Sequence, residues 1–347
     1  MVDNSLEFVK KIVISTRIRL ARNFAGFPFP AKMKPAHEQE VLHLVEAGLQ
    51  AVEREGYVRY DMETVKDSTL SYFEERKLVS PALLRKKKNR AVFLSADQEI
   101  SIMVNEEDHL REQYIAKGFH LYNAYERISA LDDGLADALD FAYDKKLGYL
   151  TACPSNLGTG MRASVMMYLP GLTWTGEIKG LRSMFQGKDM TLRGSMGEGT
   201  AVEGCLYQIS NERTLGLSEK EILDTVSEFT MQICNLELLA RDKMLAAEET
   251  ELRDRCLRAY GTLTNCALLD ASEFAAKIAD VRLGLTLGFL KTKDWKKFEE
   301  FVDDMQPAAF CMNNNLQGES ERYFDEVRAE TVGTVLPKLA QVIKRGR

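Results

Sequence analysis

The sequence predicts a domain of mixed strands and helices over residues 1–238, followed by a smaller, mainly helical domain over 239–347. Three observations predict it. Strand-like alternation and helix-like spacing interleave between residues 12 and 216. A capped helical pattern then starts at Ser218 and continues to about Tyr260. Beyond it, "SEFAAKIADVRLGLTLGFL" and "DEVRAETVGTVLPKLAQVIKRG" also read as helical.

In chain order, "STRIRLARN" (15–23) reads as a strand whose period of two puts Arg17 and Arg19 on one face. "VFLSADQEISIMV" (92–104) reads as a β-hairpin connected by residues 96–99, with Ile100, Ile102 and Val104 on one face of a half-buried strand. "AYERISALDDGLADALDFAYD" (124–144) spaces Ile128, Leu131, Leu135, Leu139 and Ala142 by three and four, which predicts an amphipathic helix. "GCLYQIS" (204–210) predicts another strand. Ser218 with Glu221 is a capping box, and Ile222, Val226, Phe229, Ile233 and Leu236 form a single stripe after it. The domain boundary falls within this pattern, so a long helix is expected to cross it.

At 45% apolar and 28% charged residues, the 347-residue chain has the composition of a soluble globular protein. No apolar run approaches the ~20 residues of a membrane helix, and "MVDNSLEFVKK" lacks the apolar core of a secretory signal. Six cysteines without CxxC pairs predict a reduced, cytoplasmic protein. A net charge of −6 argues against nucleic acid and for cationic partners.

Four segments carry candidate chemistry, although each alone reads as an ordinary strand, turn or loop. Two parallel guanidinium forks at Arg17 and Arg19 suit polyphosphate. "NEEDHLR" (105–111) sets Glu106, Glu107 and Asp108 side by side at a strand end, with Arg111 close behind. "CPSNLGTGMRASV" (153–165) joins Cys153 to Gly158-Thr159-Gly160, where backbone could approach a ligand closely, and to Arg162. "LRGSMGEGT" (192–200) places Arg193 and Glu198 around two glycines in what reads as a mobile loop. Neither a Walker A loop nor a dinucleotide fingerprint is present. Together, arginines 17, 19, 111, 162 and 193 suit a cage for a nucleoside triphosphate. Glu107 and Glu198 would face a cationic acceptor across it. A guanidinium is a poor nucleophile because its pKa exceeds ~12. Phosphorylating one therefore requires carboxylates that orient its fork and take a proton as the N–P bond forms.

At these residues the sequence resembles the phosphagen (guanidino) kinase family. "STRIRLARN", "NEEDHLR", "CPSNLGTGMRA" and "RGSMGE" stand in the family's order and spacing over residues 13–238. The closer resemblance is to its bacterial protein-arginine kinase branch, because it continues through "RAYGTLTNCALLDASEFAAKIADVRLGLTLGFL" (258–290). The resemblance implies an α+β fold, with an antiparallel sheet flanked by helices, and a helical C-terminal domain used in homodimerisation. It implies ATP with Mg²⁺, bound by Ser15, Thr16, Arg17, Ile18 and Arg19, by Arg111, by Arg162, Ala163, Ser164, Val165 and Met166, and by Arg193, Gly194, Ser195, Met196, Gly197 and Glu198. No protein metal site is expected. Glu107 resembles the family's catalytic carboxylate, Glu198 its partner at the guanidinium, and Cys153 the reactive cysteine that orients or polarises the substrate. Arginine-containing proteins would be the acceptors, with free arginine or another guanidino metabolite as the alternative. A zinc-finger activator and a Clp-type protease are the implied partners.

The fourteen residues before Ser15 leave no room for the helical domain that closes over a free amino acid in metabolic phosphagen kinases, which favours a protein-bound acceptor. Three departures stand out. Lys77 replaces a histidine of this branch near the nucleotide. The run Arg85-Lys86-Lys87-Lys88-Asn89-Arg90 lies outside the family pattern and is expected to be a solvated loop. "FDEVRA" (324–329) keeps Asp325 and Arg328 of the branch's phosphoarginine pocket but puts Phe324 in place of an arginine. A phenyl ring offers no bidentate contact to phosphate.

Overall fold

Ten residues, VISTRIRLAR, form the central strand β1 (Val13–Arg22) of a computed structural model that describes residues 8–52, 56–185, 187–194 and 203–343. The other strands follow as β2 (Val58–Asp61), β3 (Ala91–Leu94), β4 (Ile100–Val104) and β5 (Leu110–Lys117). A small hairpin, β6 (Tyr143–Asp144) with β7 (Gly148–Tyr149), precedes β8 (Met161–Tyr168), β9 (Met190–Gly194) and β10 (Leu206–Asn211). Eight of them make one antiparallel sheet in the order β2-β3-β4-β5-β1-β8-β10-β9. The family's expected fold class, α+β with an antiparallel sheet flanked by helices, is the one observed.

The two faces of this sheet have different fates. Ile18 lies opposite Tyr114 and Ala163, and Leu20 opposite Glu112 and Met161. This face, with Ile100, Ile102, Val104 and Val165, packs beneath helices Pro35–Val52 and Leu121–Ala138 as the main core. Burying each such aliphatic side chain contributes about 1.5–3 kcal/mol before entropy is subtracted. The opposite face carries Val92, Leu94 and Met103 at its β3–β4 end. There a small lobe, built on helices Asp67–Glu75 and Pro81–Arg85, covers it with Leu70, Phe73, Leu78 and Leu83. All five residues of β4 are consequently buried, so it is not the half-buried strand its alternation suggested.

The helix expected over 124–144 spans Leu121–Ala138 instead. Its stripe holds through Leu135, but Leu139 is already extended. The reason is tertiary: the carbonyl of Asp140 accepts from Ala25 N–H at 2.8 Å, and Ala142 N–H donates to Asn23 at 2.7 Å. Pairing with the chain beyond β1 outweighs local helical preference. By contrast, the capping box at Ser218 is complete, and the helix it starts runs from Glu219 to Asn265 with a kink at Glu248.

That helix carries one end of the main core, through Ala240, and one end of a second core that begins at Met244. The second core gathers helices Ala271–Thr286, Trp295–Asp304, Pro307–Asn313 and Glu321–Leu339. Both C-terminal helical patterns end sooner than their spacing suggested, because Leu290–Thr292 and Ala340–Val342 pair as a two-stranded sheet. No helix among the described residues is long and apolar enough to cross a membrane.

Candidate active site

The register of the sheet gathers the arginines. Alternation along β1 places Ser15, Arg17, Arg19 and Ala21 away from the main core. Residues directly opposite in an antiparallel pair share a face. Arg162 on β8 lies opposite Arg19, and Arg111 on β5 lies opposite Ala21. Ser15 continues across Met166 and Gln208 to Arg193 on the edge strand β9. Five arginines from four strands thus stand on one face, beside the small lobe.

Their electrostatics are those of cations without enough anions. Burial, then the charges of Arg111 and Arg162, lowers the Arg17 guanidinium to about 10. Arg19 is lowered further, by burial and then by Arg17, Arg111 and Arg162. Arg162 is lowered by burial and then by Arg193. Its Nη2 donates to Ser210 Oγ at 3.1 Å, a neutral partner. Arg17 Nε donates to the Gln113 side-chain oxygen at 3.0 Å, another neutral partner. The buried Nε of Arg19 has no hydrogen-bond partner among the described residues. Buried donors left in this state are costly, and an anionic ligand would relieve them.

The loop between β4 and β5 sorts its three acids by environment. Asn105 adopts φ 60°, a left-handed conformation that asparagine tolerates, and its amide donates to the carbonyls of Glu38 and Asn89 at 2.8 and 2.9 Å. Glu106 is buried, accepts from Ser80 Oγ at 2.6 Å and pairs with Arg111 at 2.7 Å. Asp108 is buried too; it accepts from Asn23 Nδ2 at 2.6 Å and from the Ala152 N–H at 2.7 Å. Glu107 alone is exposed, with Arg111 Nη2 3.2 Å from its carboxylate. Partial desolvation by the surrounding loop pushes its pKa up, opposed by Arg111 and Arg19 and assisted by Asp108 and Glu106. His109 is enclosed: Nδ1 accepts from Phe24 N–H at 3.0 Å, Nε2 lies 3.0 Å from the Pro28 carbonyl, and burial lowers its pKa.

Because Asp108 holds Ala152, the loop of Glu107 is tied to that of Cys153 by one carboxylate. The Cys153 sulfur lies 3.0 Å from Ser155 Oγ and close enough to Arg162 for its charge to act there. Glu107, Arg19, Arg111, Arg162 and Cys153 therefore converge on one region.

Other sequence-selected residues are placed differently. Thr16, Ile18, Ala163 and Val165 face the core side; Thr16 Oγ1 donates to the Gly118 carbonyl at 2.7 Å and accepts from His120 N–H at 3.0 Å. Ser164 and Met166 share the arginine face. Gly194 closes β9, whereas Ser195, Met196, Gly197 and Glu198 lie outside the described residues. Gly158 and Gly160 accommodate the protein itself: a Cβ would meet the Thr214 carbonyl oxygen at 2.5 Å and the Ala21 carbonyl oxygen at 2.6 Å. The close approach expected there is to backbone of the same chain. Nor is the basic run merely a solvated loop, since Lys86 and Asn89 both clasp the buried Glu38 carboxylate. Lys77 has φ 61° and offers its carbonyl to Gln113 Nε2 at 2.8 Å. Phe324 packs against the second core. Arg328 is buried over Phe310 with its guanidinium on the Leu269 carbonyl at 2.9 Å and on Asp325 at 3.1 Å.

Sequence reasoning missed Gln113, Ser80, Asn23 and Ser210. Each is an unremarkable polar residue until the fold sets it against an arginine or an acid, Gln113 and Ser210 through strand register and Ser80 and Asn23 from outside the strands. Asn23 alone had a signal, as the last residue of the "STRIRLARN" motif.

A face of arginines beside an exposed carboxylate and a cysteine suits phosphoryl transfer to a cationic acceptor, and the comparisons with known proteins give the class: a phosphotransferase that acts on guanidinium groups. The family model described as "ATP:guanido phosphotransferase, C-terminal catalytic domain" matches residues 40–240. That described as "Protein-arginine kinase McsB C-terminal domain" matches 249–345. The protein-arginine kinase of Caldanaerobacter subterraneus is 38% identical over 96% of this chain and 99% of its own. That of Clostridium tetani is 40% identical over 90% and 92%. The chain belongs to the protein-arginine kinase family of ATP:guanido phosphotransferases. Among solved structures, the substrate-free duplicated taurocyamine kinase of Schistosoma mansoni superposes with a TM-score of 0.62 at 24% identity, over 75% of this chain. The chain spans 40% of that protein's length. A lombricine kinase superposes at 0.60, also at 24% identity, over 67% and 68%. These two establish the shared fold.

Proposed function

We propose that this protein transfers the terminal phosphoryl group of ATP to a guanidinium nitrogen of arginine residues in proteins. The observation that carries the reading is the shared face of Arg17, Arg19, Arg111, Arg162 and Arg193, on which Arg17, Arg19 and Arg162 have no carboxylate partner of their own. A triphosphate supplies those anions, and the unpartnered Arg19 Nε fits such a ligand. Arg17, Arg19 and Arg162 hold and neutralise the phosphates, with Arg193 approaching from the edge strand. Arg111 stands between the phosphates and Glu107, where charge builds as the group moves. Magnesium, carried on the nucleotide's phosphate oxygens, adds charge neutralisation when bound.

Glu107 orients the planar cation and takes its proton as the N–P bond forms and the bond from phosphorus to the leaving ADP oxygen breaks. Its raised pKa suits a proton acceptor better than that of an ordinary surface carboxylate. Cys153 sits beside the same place to polarise or orient the guanidinium, without forming a covalent bond. Glu198 is the second carboxylate of this reading. Thr16, Ile18, Ala163 and Val165 serve by holding the strands.

Protein-bound arginine is favoured over free arginine by whole-chain similarity to proteins named protein-arginine kinases, including the C-terminal part. A division near residue 238, homodimerisation through the C-terminal helices, a cytoplasmic site of action, a zinc-finger activator and a Clp-type protease complete the reading on family resemblance.

Incubation with ATP and an unfolded arginine-containing protein should yield acid-labile phosphate on arginine, detected by mass spectrometry under mildly alkaline handling. Label confined to serine or tyrosine refutes the assignment, and faster turnover of free arginine reverses the choice of acceptor. Glu107→Gln should reduce transfer by about 10²–10⁴-fold with nucleotide binding retained. An unchanged rate would instead take the proton-acceptor role from Glu107, and nucleotide binding without any labelling would mark the chain as a nucleotide-binding adaptor.

A further inference from the structure

The small lobe does more than cover β3 and β4. It walls one side of the arginine face, and its turn at residues 75–80 is tied to that face three times. Gln113 Nε2 donates to the carbonyls of Lys77 at 2.8 Å and Leu78 at 3.3 Å, while the other end of the same amide accepts from Arg17. Ser101 Oγ also donates to the Leu78 carbonyl. Ser80 Oγ donates to Glu106, which pairs with Arg111.

The same turn is gripped from behind by the C-terminal helices. Glu75 accepts from the N–H groups of Ala308 and Ala309, each at 2.9 Å. Arg76 reaches Asp303 at 3.5 Å, and Lys117, the last residue of β5, pairs with the same carboxylate. Lys77 between these anchors is held at φ 61°, a conformation that a side-chain-bearing residue keeps when its surroundings impose it.

We infer that Glu75, Asp303 and Gln113 are positioning residues, through which the C-terminal helices set the placement of Arg17 and thereby the affinity for nucleotide. The inference rests on the nucleotide-binding role proposed for the arginine face. The contacts run without a gap: helix 307–313 and Asp303 to Glu75 and Arg76, then the Lys77 carbonyl to Gln113, then Arg17. None of the three touches the reacting atoms. Loosening the grip should alter binding more than chemistry.

The test uses the full-length protein and the variants Glu75→Gln, Asp303→Asn and Asp303→Glu. Direct titration with a fluorescent ATP analogue is combined with steady-state kinetics. Glu75→Gln and Asp303→Asn should each weaken nucleotide binding by about fivefold, the size of one typical net hydrogen bond. The KM for ATP should rise in parallel, with kcat changed less than about twofold. Asp303→Glu, which keeps the carboxylate, should restore most of the affinity.

Unchanged nucleotide affinity in variants that fold like the parent overturns the inference. So does a loss of kcat alone that tracks the folded fraction measured by circular dichroism, since that is a purely structural effect. Failure of the proposed phosphotransfer is read separately. A parent protein that binds nucleotide tightly but labels no arginine refutes the catalytic reading, while the titrations still decide the role of these residues.

Discussion

Two sets of arginines, one buried and one half-buried, show opposite solutions to one physical problem. Arg22 and Arg282 bring their own anions. Arg22 makes a fork to Asp132 at 2.9 and 2.7 Å beneath the Tyr149 ring, and Arg282 grips Glu299 at 2.9 and 2.6 Å. In both, the paired carboxylate outweighs burial and the guanidinium pKa is raised. Arg17, Arg19 and Arg162 have each other as neighbours, and theirs are lowered. A structural arginine arrives satisfied; these three remain short of an anion. The contrast locates the ligand by its missing charge rather than by a cavity.

The comparison breaks most sharply if Arg282 can be removed without penalty. Arg282→Met leaves Glu299 buried and unpaired, and should destabilise the protein by about 3–5 kcal/mol in urea denaturation. Removing both partners, as Arg282→Met with Glu299→Leu, should recover much of that loss. A single variant as stable as the parent would mean that the pair contributes nothing.

The other set predicts the reverse. A lowered folded-state pKa means that the folded chain holds this proton less tightly than the unfolded chain. Wherever the unfolded chain carries that proton, holding the charge on Arg19 in the folded chain therefore weighs against folding. Arg19→Gln should leave stability unchanged or slightly raised, yet weaken ATP binding by about 10²-fold, roughly 2.7 kcal/mol. Added ATP should also raise the melting temperature of the parent more than that of this variant. Lost stability together with retained affinity would move Arg19 into the structural set.

How much of this was legible in the sequence depends on the range of the interactions involved. Arg17 and Arg19 share a face by strand periodicity alone, and that was readable. That Arg162 lies opposite Arg19 and Arg111 opposite Ala21 depends on strand register between segments about ninety to a hundred and forty residues apart, which no local pattern specifies. Family resemblance supplied those residues; the sheet supplied the reason. Glu106, Glu107 and Asp108 are nearly interchangeable as letters. Burial against Ser80 and Arg111, or against Asn23 and Ala152, turns two of them into struts and leaves Glu107 at the surface. The early end of helix 121–138 has the same origin, because its competing partners lie more than a hundred residues away. Glu198 lies outside the described residues.

The smallest expected effect sharpens the division within the site itself. If Glu107 accepts the proton, activity requires it ionised. Its pKa is raised, so the acid limb of kcat/KM should lie above the ordinary carboxylate value of about 4.3. Activity should fall as pH drops through that limb, and raising the pH should restore it. Cys153→Ala removes a group that polarises or orients the acceptor without carrying the proton. It should slow transfer by about tenfold, less than loss of the carboxylate, and leave the acid limb where it was. An acid limb that moved with Cys153→Ala, or an equal loss of rate in both variants, would mean that thiol and carboxylate act as one unit. The two roles assigned here would then have to be merged.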